Sequence, residues 1–213
     1  MADRRIALVA DGASALGQTI AARLAESGHV VLAGDVVEGA VPDIVPLALD
    51  PTDEAGVARA FAEIEARFGR LDVLVNDRIV PGETARIENG RAAAWEEAIR
   101  GNLTSAFLMS RAALPMMRRQ GGGRIVNIAS GAARGAAPPG TGAYAAASAG
   151  LIGFTRALAE EAGACGVSVN CLAPSFEPDR HGDIANVVAW LCSERAGFVT
   201  GTVLDVNGGG WAR

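Results

Sequence analysis

Residues 5–27 read RIALVADGASALGQTIAARLAES, and the order of residue types in this stretch decides the fold. The apolar run 5–10 predicts a short buried strand, and the segment 17–27 predicts a helix. Between them lies the turn Asp11-Gly12-Ala13-Ser14-Ala15-Leu16-Gly17. A strand, a glycine-containing turn and a helix in this order open many dinucleotide-binding folds. Alone, such a turn is a weak signal, so the rest of the chain has to support it.

Short strand-like runs alternate with longer helical segments along the remainder of the chain. This alternation predicts an α/β fold: a Rossmann-type, doubly wound parallel sheet with helices on both faces, in three layers. No repeat or linker interrupts the pattern, so we expect one domain over residues 1–213. The predicted strands are 5–10, 29–34, 44–49, 71–75, 124–129, 167–172 and 203–206, and the predicted helices are 17–27, 53–68, 95–103, 104–120, 144–162 and 183–192.

Composition excludes several classes of function. A formal charge of -5 and a pI near 5.1 give no electrostatic reason to expect nucleic acid or an anionic membrane as a partner. No apolar run is long enough to span a bilayer or to serve as a secretion signal. The 3 cysteines show no metal-ligand spacing and suit a reduced compartment, so we expect a cytoplasmic protein without a metal site. All 19 basic residues are Arg, and the chain contains no Lys.

Several later segments, taken in order, are similar to the short-chain dehydrogenase/reductase family, and the resemblance extends over essentially the whole chain. The segments that carry it include Leu71-Asp72-Val73-Leu74-Val75-Asn76, Arg124-Ile125-Val126-Asn127-Ile128-Ala129-Ser130, Tyr144-Ala145-Ala146-Ala147, Val169-Asn170-Cys171-Leu172-Ala173-Pro174 and Asp205-Val206-Asn207-Gly208-Gly209. The resemblance implies the Rossmann-type fold and hydride transfer between NAD(P) and a hydroxyl or carbonyl substrate.

The resemblance also implies a catalytic set. Tyr144 matches the acid–base tyrosine, Ser130 the serine that positions the substrate oxygen, and Asn102 the asparagine that orders a water relay. The family's lysine, one helical turn after the tyrosine, is replaced here by Ser148. A free tyrosine has a pKa of about 10, so at pH 7 only about one hydroxyl in a thousand is ionised. A neighbouring ammonium lowers this pKa, and neutral Ser148 cannot do so.

Arginine is the only cationic side chain that could take the lysine's place. Arg78 or Arg134 could bring a cation near Tyr144, but a planar guanidinium would not reproduce the point charge of an ammonium. Without the lysine, the sequence predicts that the catalytic set is vestigial.

The cofactor positions are also altered. Resemblance places a dinucleotide on Gly12, Ser14, Leu16, Gly17, Asp35, Asp50 and Asn76, with Asp35 on the adenine ribose of NAD and Asp50 on the adenine. Against the family's Thr-Gly-x-x-x-Gly-x-Gly, the turn is expected to be one residue short. Its middle glycine is expected to be Ala15 or Leu16, whose Cβ would displace the diphosphate, and Asp11 to stand at the threonine. We therefore expect no cofactor or, if one binds, NAD.

Two further segments depart from the family. Its Asn-Asn-Ala-Gly signature is Asn76-Asp77-Arg78-Ile79 here, and we expect Arg78 to enter the cofactor cleft and pair with Asp11 or Asp77. After Pro174 the family has a helical lid over the substrate, which is absent here, so excluding water and holding a substrate become difficult. For Asp35 and Asp50, the alternative is an ordinary polar strand end.

The segments most similar to the family are helices 104–120 and 144–162 and the C-terminal helix and strand, which form its dimer and tetramer interfaces. The losses therefore predict a non-catalytic subunit that stabilises an active paralogue in a heterodimer or heterotetramer. They resemble hetero-oligomeric members such as the benzylsuccinate-pathway dehydrogenase, with a hydroxyl/carbonyl substrate such as a hydroxyacyl-CoA. The alternatives are an active NAD-dependent oxidoreductase that uses Tyr144, Ser130 and Asn102, and a regulator that binds NAD without turnover.

Overall fold

A computed structural model describes residues 4–34, 43–135, 137–175 and 178–210 of the chain. The strands are β1 (Ile6–Val9), β2 (Val30–Gly34), β3 (Ile44–Leu47), β4 (Val73–Asn76), β5 (Gly123–Ile128), β6 (Val167–Pro174) and β7 (Val203–Val206). The helices are α1 (Ala15–Glu26), α2 (Glu54–Phe68), α3 (Ala92–Ile99), α4 (Ser105–Arg119), α5 (Gly142–Gly163) and α6 (His181–Cys192).

All seven strands are parallel and form one sheet in the order β3-β2-β1-β4-β5-β6-β7. Helices α2, α4 and α5 bury their apolar side chains against one face of this sheet, and α1 and α6 against the other. The predicted three-layer Rossmann-type fold is therefore confirmed. Chain order reverses between β1 and β4, and ligands of such sheets bind at the carboxyl ends of the strands near this switch point.

Local sequence sets the helix ends at the site. The Ser14 hydroxyl caps α1, and Asp53 caps α2 by accepting the N–H groups of Ala55 and Gly56. The helix predicted at 17–27 therefore begins two residues earlier, because its cap is Ser14. Gly69 ends α2 in the left-handed conformation, with a φ of 66°, which glycine adopts without strain.

One element differs from the predicted pattern in a way that matters for the site. The predicted helices 95–103 and 104–120 are one continuous run, in which a π-helical segment, Arg100–Thr104, joins α3 to α4. Such π-bulges widen a helix locally and occur often at functional sites. Asn102 lies in this segment.

The region after β6 is short, as the sequence predicts. β6 ends at Pro174 and α6 begins at His181, so only six residues separate them in sequence where the resemblance leads us to expect a lid. Of these, residues 178–180 form a single 3₁₀ turn. Within the described part of the chain, no helix is both long and apolar enough to cross a membrane.

Candidate active site

The carboxyl ends of β5 and β6 border a cleft of about 320 Å³. Ser130 follows β5, Tyr144 lies in the first turn of α5, and Pro174 ends β6. The cleft is lined by Pro81, Thr84, Ser130, Gly131, Ala132, Pro138, Thr141, Tyr144, Pro174 and Ser175. The structure thus brings together the serine and the tyrosine that the resemblance pairs, although they are fourteen residues apart in sequence.

Ser130 has a role in the backbone as well as in the cleft. Its Oγ accepts a hydrogen bond of 3.1 Å from the N–H of Ala132 and so caps the 3₁₀ turn Gly131–Arg134. The residue is buried, with 5% of its surface exposed. Ser130 therefore stabilises the loop after β5 whether or not a substrate binds.

The surroundings of Tyr144 are neutral. Burial raises the pKa of the Tyr144 hydroxyl above its ordinary value, and the side chains of Ser130 and Ser148 act in the opposite direction without cancelling the rise. No cationic group contributes to this balance. Ser148, which stands where the family has lysine, is itself buried, with 2% exposed. The tyrosine is therefore held in its neutral form at physiological pH, which is the reverse of what the family's lysine does.

Neither arginine that could replace the lysine acts on Tyr144. Arg134 forms a two-pronged ion pair with Asp205 at 3.1 and 3.2 Å. Arg78 is half-buried, and its charge helps to lower the pKa of Asp50 instead. Within the described residues, Arg78 makes no ion pair with Asp77, so that predicted pairing is not formed, while the alternative pairing with Asp11 stays a prediction.

Asn102 is buried, and its side chain makes three hydrogen bonds within the fold. Its Oδ1 accepts the N–H of Val80 at 2.9 Å, and its Nδ2 donates to the carbonyl oxygens of Val80 and Ala98, both at 2.8 Å. These bonds anchor the loop after β4 to the π-helical segment. Both N–H donors of the side chain are occupied and Oδ1 keeps one acceptor position, so the amide holds the backbone in place before it can serve a water relay.

Gly17 is fixed in the first turn by packing, because a Cβ there would lie 2.0 Å from the carbonyl oxygen of Asp11. Counted back from Gly17, the family's eight-residue pattern runs from Ala10 to Gly17, so the turn has the full length. The expectation of a turn one residue short is therefore wrong. In this register Ala10 stands at the threonine, Asp11 at the first glycine and Ala15 at the middle glycine.

The other predicted residues of this turn also have structural contacts. A Cβ on Gly12 would lie 2.6 Å from the Cβ of Ala33, so Gly12 lets the turn pack closely on β2. The Ser14 hydroxyl donates to the carbonyl of Asp11 and accepts the N–H of Gly17, both at 2.9 Å. Leu16 is buried in the core under α1, so its side chain cannot displace a diphosphate as expected. Because Gly12, Ser14 and Leu16 all serve the fold, their presence in the turn does not by itself indicate a bound dinucleotide.

Asp77 is a buried acid at this site, which the sequence analysis did not predict. Only 1% of it is exposed; its Oδ1 accepts the N–H of Asp11 at 2.8 Å, and its Oδ2 has no hydrogen-bond partner in the described structure. Burial, with the nearby negative charge of Asp11, raises the Asp77 pKa from 3.8 to about 7, against the opposing effect of backbone N–H groups. Asp77 comes directly after β4, whose four residues Val73–Asn76 are all buried, and this position was the signal that could have revealed it.

Asn76, just before it, belongs to a buried chain of hydrogen bonds. Its Nδ2 donates to Oδ1 of Asn127 at 2.7 Å and to Ser110 at 3.3 Å. Asn127 in turn donates to Thr155, whose hydroxyl donates to the carbonyl of Leu151. This chain ties β4 and β5 to α5, which gives Asn76 a structural function independent of the predicted cofactor role.

The adenine end of the predicted cofactor site is only partly described. Asp50 is exposed after β3, and its Oδ1 accepts the N–H and the hydroxyl of Thr52 at 2.9 and 2.8 Å. These bonds, with smaller effects from the charges of Arg78 and Arg100, lower the pKa of Asp50. Its carboxylate is thus available to a ligand. Asp35 lies outside the described residues.

The dinucleotide that the family typically uses does not fit the described residues well. A diphosphate at the first turn would add negative charge next to Asp11 and Asp77, where burial and, to a smaller extent, the charge of Asp11 already raise the pKa of Asp77. At the nicotinamide end, Ser148 is neutral, short and buried, so it cannot replace a ribose-binding lysine. The described residues also contain no group of three or more side chains suited to hold a metal ion.

Comparison with known proteins agrees with this geometry. Residues 5–177 match the family described as short chain dehydrogenase. The 3-oxoacyl-[acyl-carrier-protein] reductase of Escherichia coli is 34% identical over 238 residues, covering 96% of each chain. The (2S)-[(R)-hydroxy(phenyl)methyl]succinyl-CoA dehydrogenase subunit BbsD of Thauera aromatica is 34% identical over 243 residues, again covering 96% of each. Both alignments are longer than this chain of 213 residues, so the relatives contain segments that it lacks.

A crystal structure from Burkholderia xenovorans, described as a short-chain dehydrogenase/reductase, superposes with a TM-score of 0.88. Its sequence is 35% identical, and the match covers 96% of this chain and 95% of that one. The family match, the relatives and the superposition agree with the motifs and the fold described above. The chain belongs to the short-chain dehydrogenase/reductase family of oxidoreductases.

Proposed function

We propose that this chain is a non-catalytic subunit of the short-chain dehydrogenase/reductase fold, which assembles with an active paralogue and stabilises it. The active partner would act on a hydroxyl or carbonyl substrate, a hydroxyacyl-CoA in particular. The assembly would be a heterodimer or heterotetramer in the reduced cytoplasm, which suits the 3 free cysteines.

The observation that carries the proposal is the neutral environment of Tyr144. Acid–base catalysis is most effective when the pKa of the catalytic group lies near the working pH. Burial moves the pKa of Tyr144 the other way, and only the hydroxyl groups of Ser130 and Ser148 oppose it. With no lysine in the chain and Arg134 paired to Asp205, no described cation is placed to restore the family's chemistry.

The cofactor half of the site supports the same proposal. An active member must bind its dinucleotide before any hydride can move. Here the turn that would receive the diphosphate carries Asp11 above the buried Asp77, and both residues repel added negative charge when ionised. The absence of a lid after Pro174 also leaves the substrate side of the cleft open.

The surface supports an assembly role. Phe107 on α4 is 42% exposed, although it stacks edge-on with Phe154 of α5 at a ring-centroid distance of 6.3 Å. In the C-terminal region, Trp190 of α6 and Phe198 are also exposed. Exposed aromatic side chains are typical of protein–protein interfaces. These two surfaces coincide with the helices and the C-terminal region that the family resemblance assigns to dimer and tetramer contacts.

The name of one relative supports the same proposal. The Thauera aromatica protein is called a subunit of a dehydrogenase, and its substrate is a CoA thioester with a hydroxyl group. This one relative is an example of the subunit composition and the substrate class that we propose here.

The alternative is an active NAD-dependent oxidoreductase. It is favoured by the Ser130–Tyr144 pair in one cleft, by the available carboxylate of Asp50, and by relatives that are named as reductases and dehydrogenases. In that case a substrate or cofactor would itself have to lower the pKa of Tyr144.

Calorimetric titration of the purified chain with NAD+, NADH, NADP+ and NADPH separates the two candidates. We expect no saturable binding up to about 1 mM, the upper end of common KM values, and no turnover of a 3-hydroxyacyl-CoA. The second arm is sedimentation of the chain alone and after co-expression with a paralogue that has the lysine, where we expect a mixed oligomer. Saturable NAD binding with turnover that Tyr144→Phe abolishes would establish the alternative instead.

A further inference from the structure

The amino-terminal edge of the sheet, opposite the candidate active site, contains a second cleft, which we call the arginine cleft. Its volume is about 450 Å³. It is lined by the starts of β1, β4 and β5 and by the turn after α6, through Arg5, Arg70, Asp72, Gln120, Gly121, Gly122, Gly123, Arg124, Gly166 and Glu194. Three guanidinium groups therefore border one small polar space.

One of these three cations is already neutralised. Arg70 forms a two-pronged ion pair with Asp72 at 2.9 and 2.7 Å, and Asp72 also accepts the N–H of Ile6 at 2.7 Å. This carboxylate is buried and its hydrogen-bonding groups are occupied. The Arg70–Asp72 pair thus adds little net charge to the arginine cleft.

Arg5 and Arg124 are different, because no described carboxylate lies within ion-pair distance of either guanidinium. Arg5 donates to the carbonyl of Cys192 at 2.7 Å, and Arg124 donates to the carbonyl of Gly123 at 3.0 Å. Nε of Arg124 is buried without any hydrogen-bond partner.

The two charges are close enough to affect each other. Burial lowers the pKa of Arg124, the positive charge of Arg5 lowers it further, and the exposed Glu194 opposes this from the rim. An arginine keeps its proton in proteins, so the strain stays in the folded state as repulsion between two cations. A bound anion would relieve it.

We propose that the arginine cleft binds a phosphate group, held between Arg5 and Arg124. A phosphate dianion carries enough charge to neutralise both guanidinium groups, and its oxygens match the fork of N–H donors that each presents. The unpartnered Nε of Arg124 shows that the described protein groups do not satisfy this guanidinium, whose terminal N–H groups would donate to the anion. The site lies at the edge of the sheet away from Tyr144, so it is separate from the proposed loss of catalysis.

Inorganic phosphate is the first probe, titrated into the purified full-length chain by calorimetry at constant ionic strength with chloride as the balancing ion. We expect saturable binding to the wild type. Arg5→Gln and Arg124→Gln should each weaken it about tenfold or more, the usual cost of one charged hydrogen bond. Arg118→Gln is the matched control: it removes the same charge from the exposed last turn of α4 and should leave the affinity unchanged.

Further arms identify the anion and guard against misfolding. Glycerol 3-phosphate binding as tightly as inorganic phosphate would assign the site to the phosphate of a larger ligand, and weaker binding would assign it to the free ion. Arg124→Lys, checked by circular dichroism, keeps the charge without the fork and should bind with intermediate affinity. The proposal is overturned if phosphate shows no saturable binding, if acetate binds equally well, or if Arg118→Gln weakens binding as much as the other variants.

Discussion

Around β5 and β6, the carboxyl edge of the sheet keeps the serine and tyrosine of the family in one cleft, whereas around β1 and β4 it carries two neighbouring acids. On the first side Ser130 and Tyr144 stand where the resemblance predicts. On the second, Asp11 and Asp77 lie at the first turn, where the resemblance places the diphosphate of a dinucleotide, and the pKa of Asp77 is raised to about 7. The two halves have therefore diverged from the family to different degrees.

The difference follows the structural contacts of each residue. Asn102 holds the backbone of Val80, Asn76 bonds Asn127, and Gly17 packs against a carbonyl oxygen, so each would be costly to lose. At position 148 the resemblance gives the lysine a role toward the cofactor and the tyrosine, and here a buried serine takes its place. Conserved identity at a motif position thus says little about catalysis when the fold itself requires that residue.

Asp77, which lies beneath the first turn, should produce the largest effect on stability, through the pH dependence of the free energy of unfolding. Between its ordinary pKa of 3.8 and its folded value of about 7, Asp77 stays protonated in the folded state and is ionised in the unfolded state. The free energy of unfolding therefore falls as pH rises through this window, by roughly 4 kcal/mol from this residue, and changes no further above it.

Asp77→Asn removes this dependence. At pH 8 the variant should be more stable than the wild type by about 2 kcal/mol, because an unpartnered amide N–H offsets part of the gain. At pH 4 the variant should be the less stable protein. Urea unfolding of both proteins from pH 4 to pH 8 measures the difference, with the exposed Asp179→Asn as control. Parallel curves would show that Asp77 is not a buried acid and that the two halves do not differ in this way.

The second-largest effect is expected around β5 and β6, on the side of the site that contains Ser130 and Tyr144. It tests whether Asn102 has a structural role. Asn102→Ala leaves the Val80 N–H and two carbonyl groups without their partner, and should lower the free energy of unfolding by about 2 kcal/mol. Asn89→Ala, at an exposed position, should change it little. Tyr144→Phe removes only a hydroxyl at the cleft and should cost clearly less than Asn102→Ala. Equal costs for Asn102→Ala and Asn89→Ala would contradict a structural role for Asn102.

Much of the fold was predictable because hydrophobic pattern and chain alternation specify it. The seven strands, the helices and the short segment after Pro174 follow from apolar runs and their spacing. That Ser130 and Tyr144 lie in one cleft was also predictable, since both occupy recognisable motifs. The continuous run from α3 to α4 was not, because a π-helical segment keeps helical periodicity while changing its hydrogen bonds.

Contacts between distant segments explain the remaining differences. The length of the first turn became clear only from the packing of Gly17 on Asp11. The raised pKa of Asp77 depends on burial, which sequence does not give directly. Likewise, Arg5 and Arg124 are 119 positions apart, and only the sheet register brings them to one cleft.

Tyr144 itself provides the smallest and most direct test of the comparison, because it is the only tyrosine in the chain. Its ultraviolet absorbance therefore reports one titration, whose midpoint should lie above the ordinary value of 10.0 because the hydroxyl is buried. Ser148→Lys places an ammonium one helical turn away and should lower the midpoint by about one unit or more, which is a tenfold larger ionised fraction. The control Ala149→Lys adds the same charge at the exposed neighbouring position and should shift the midpoint much less. If both lysines lower the titration midpoint equally, charge at any nearby position governs the pKa of Tyr144, and the lysine position has no special effect. The side of the site with Ser130 and Tyr144 would then be no better preserved than the side with Asp11 and Asp77.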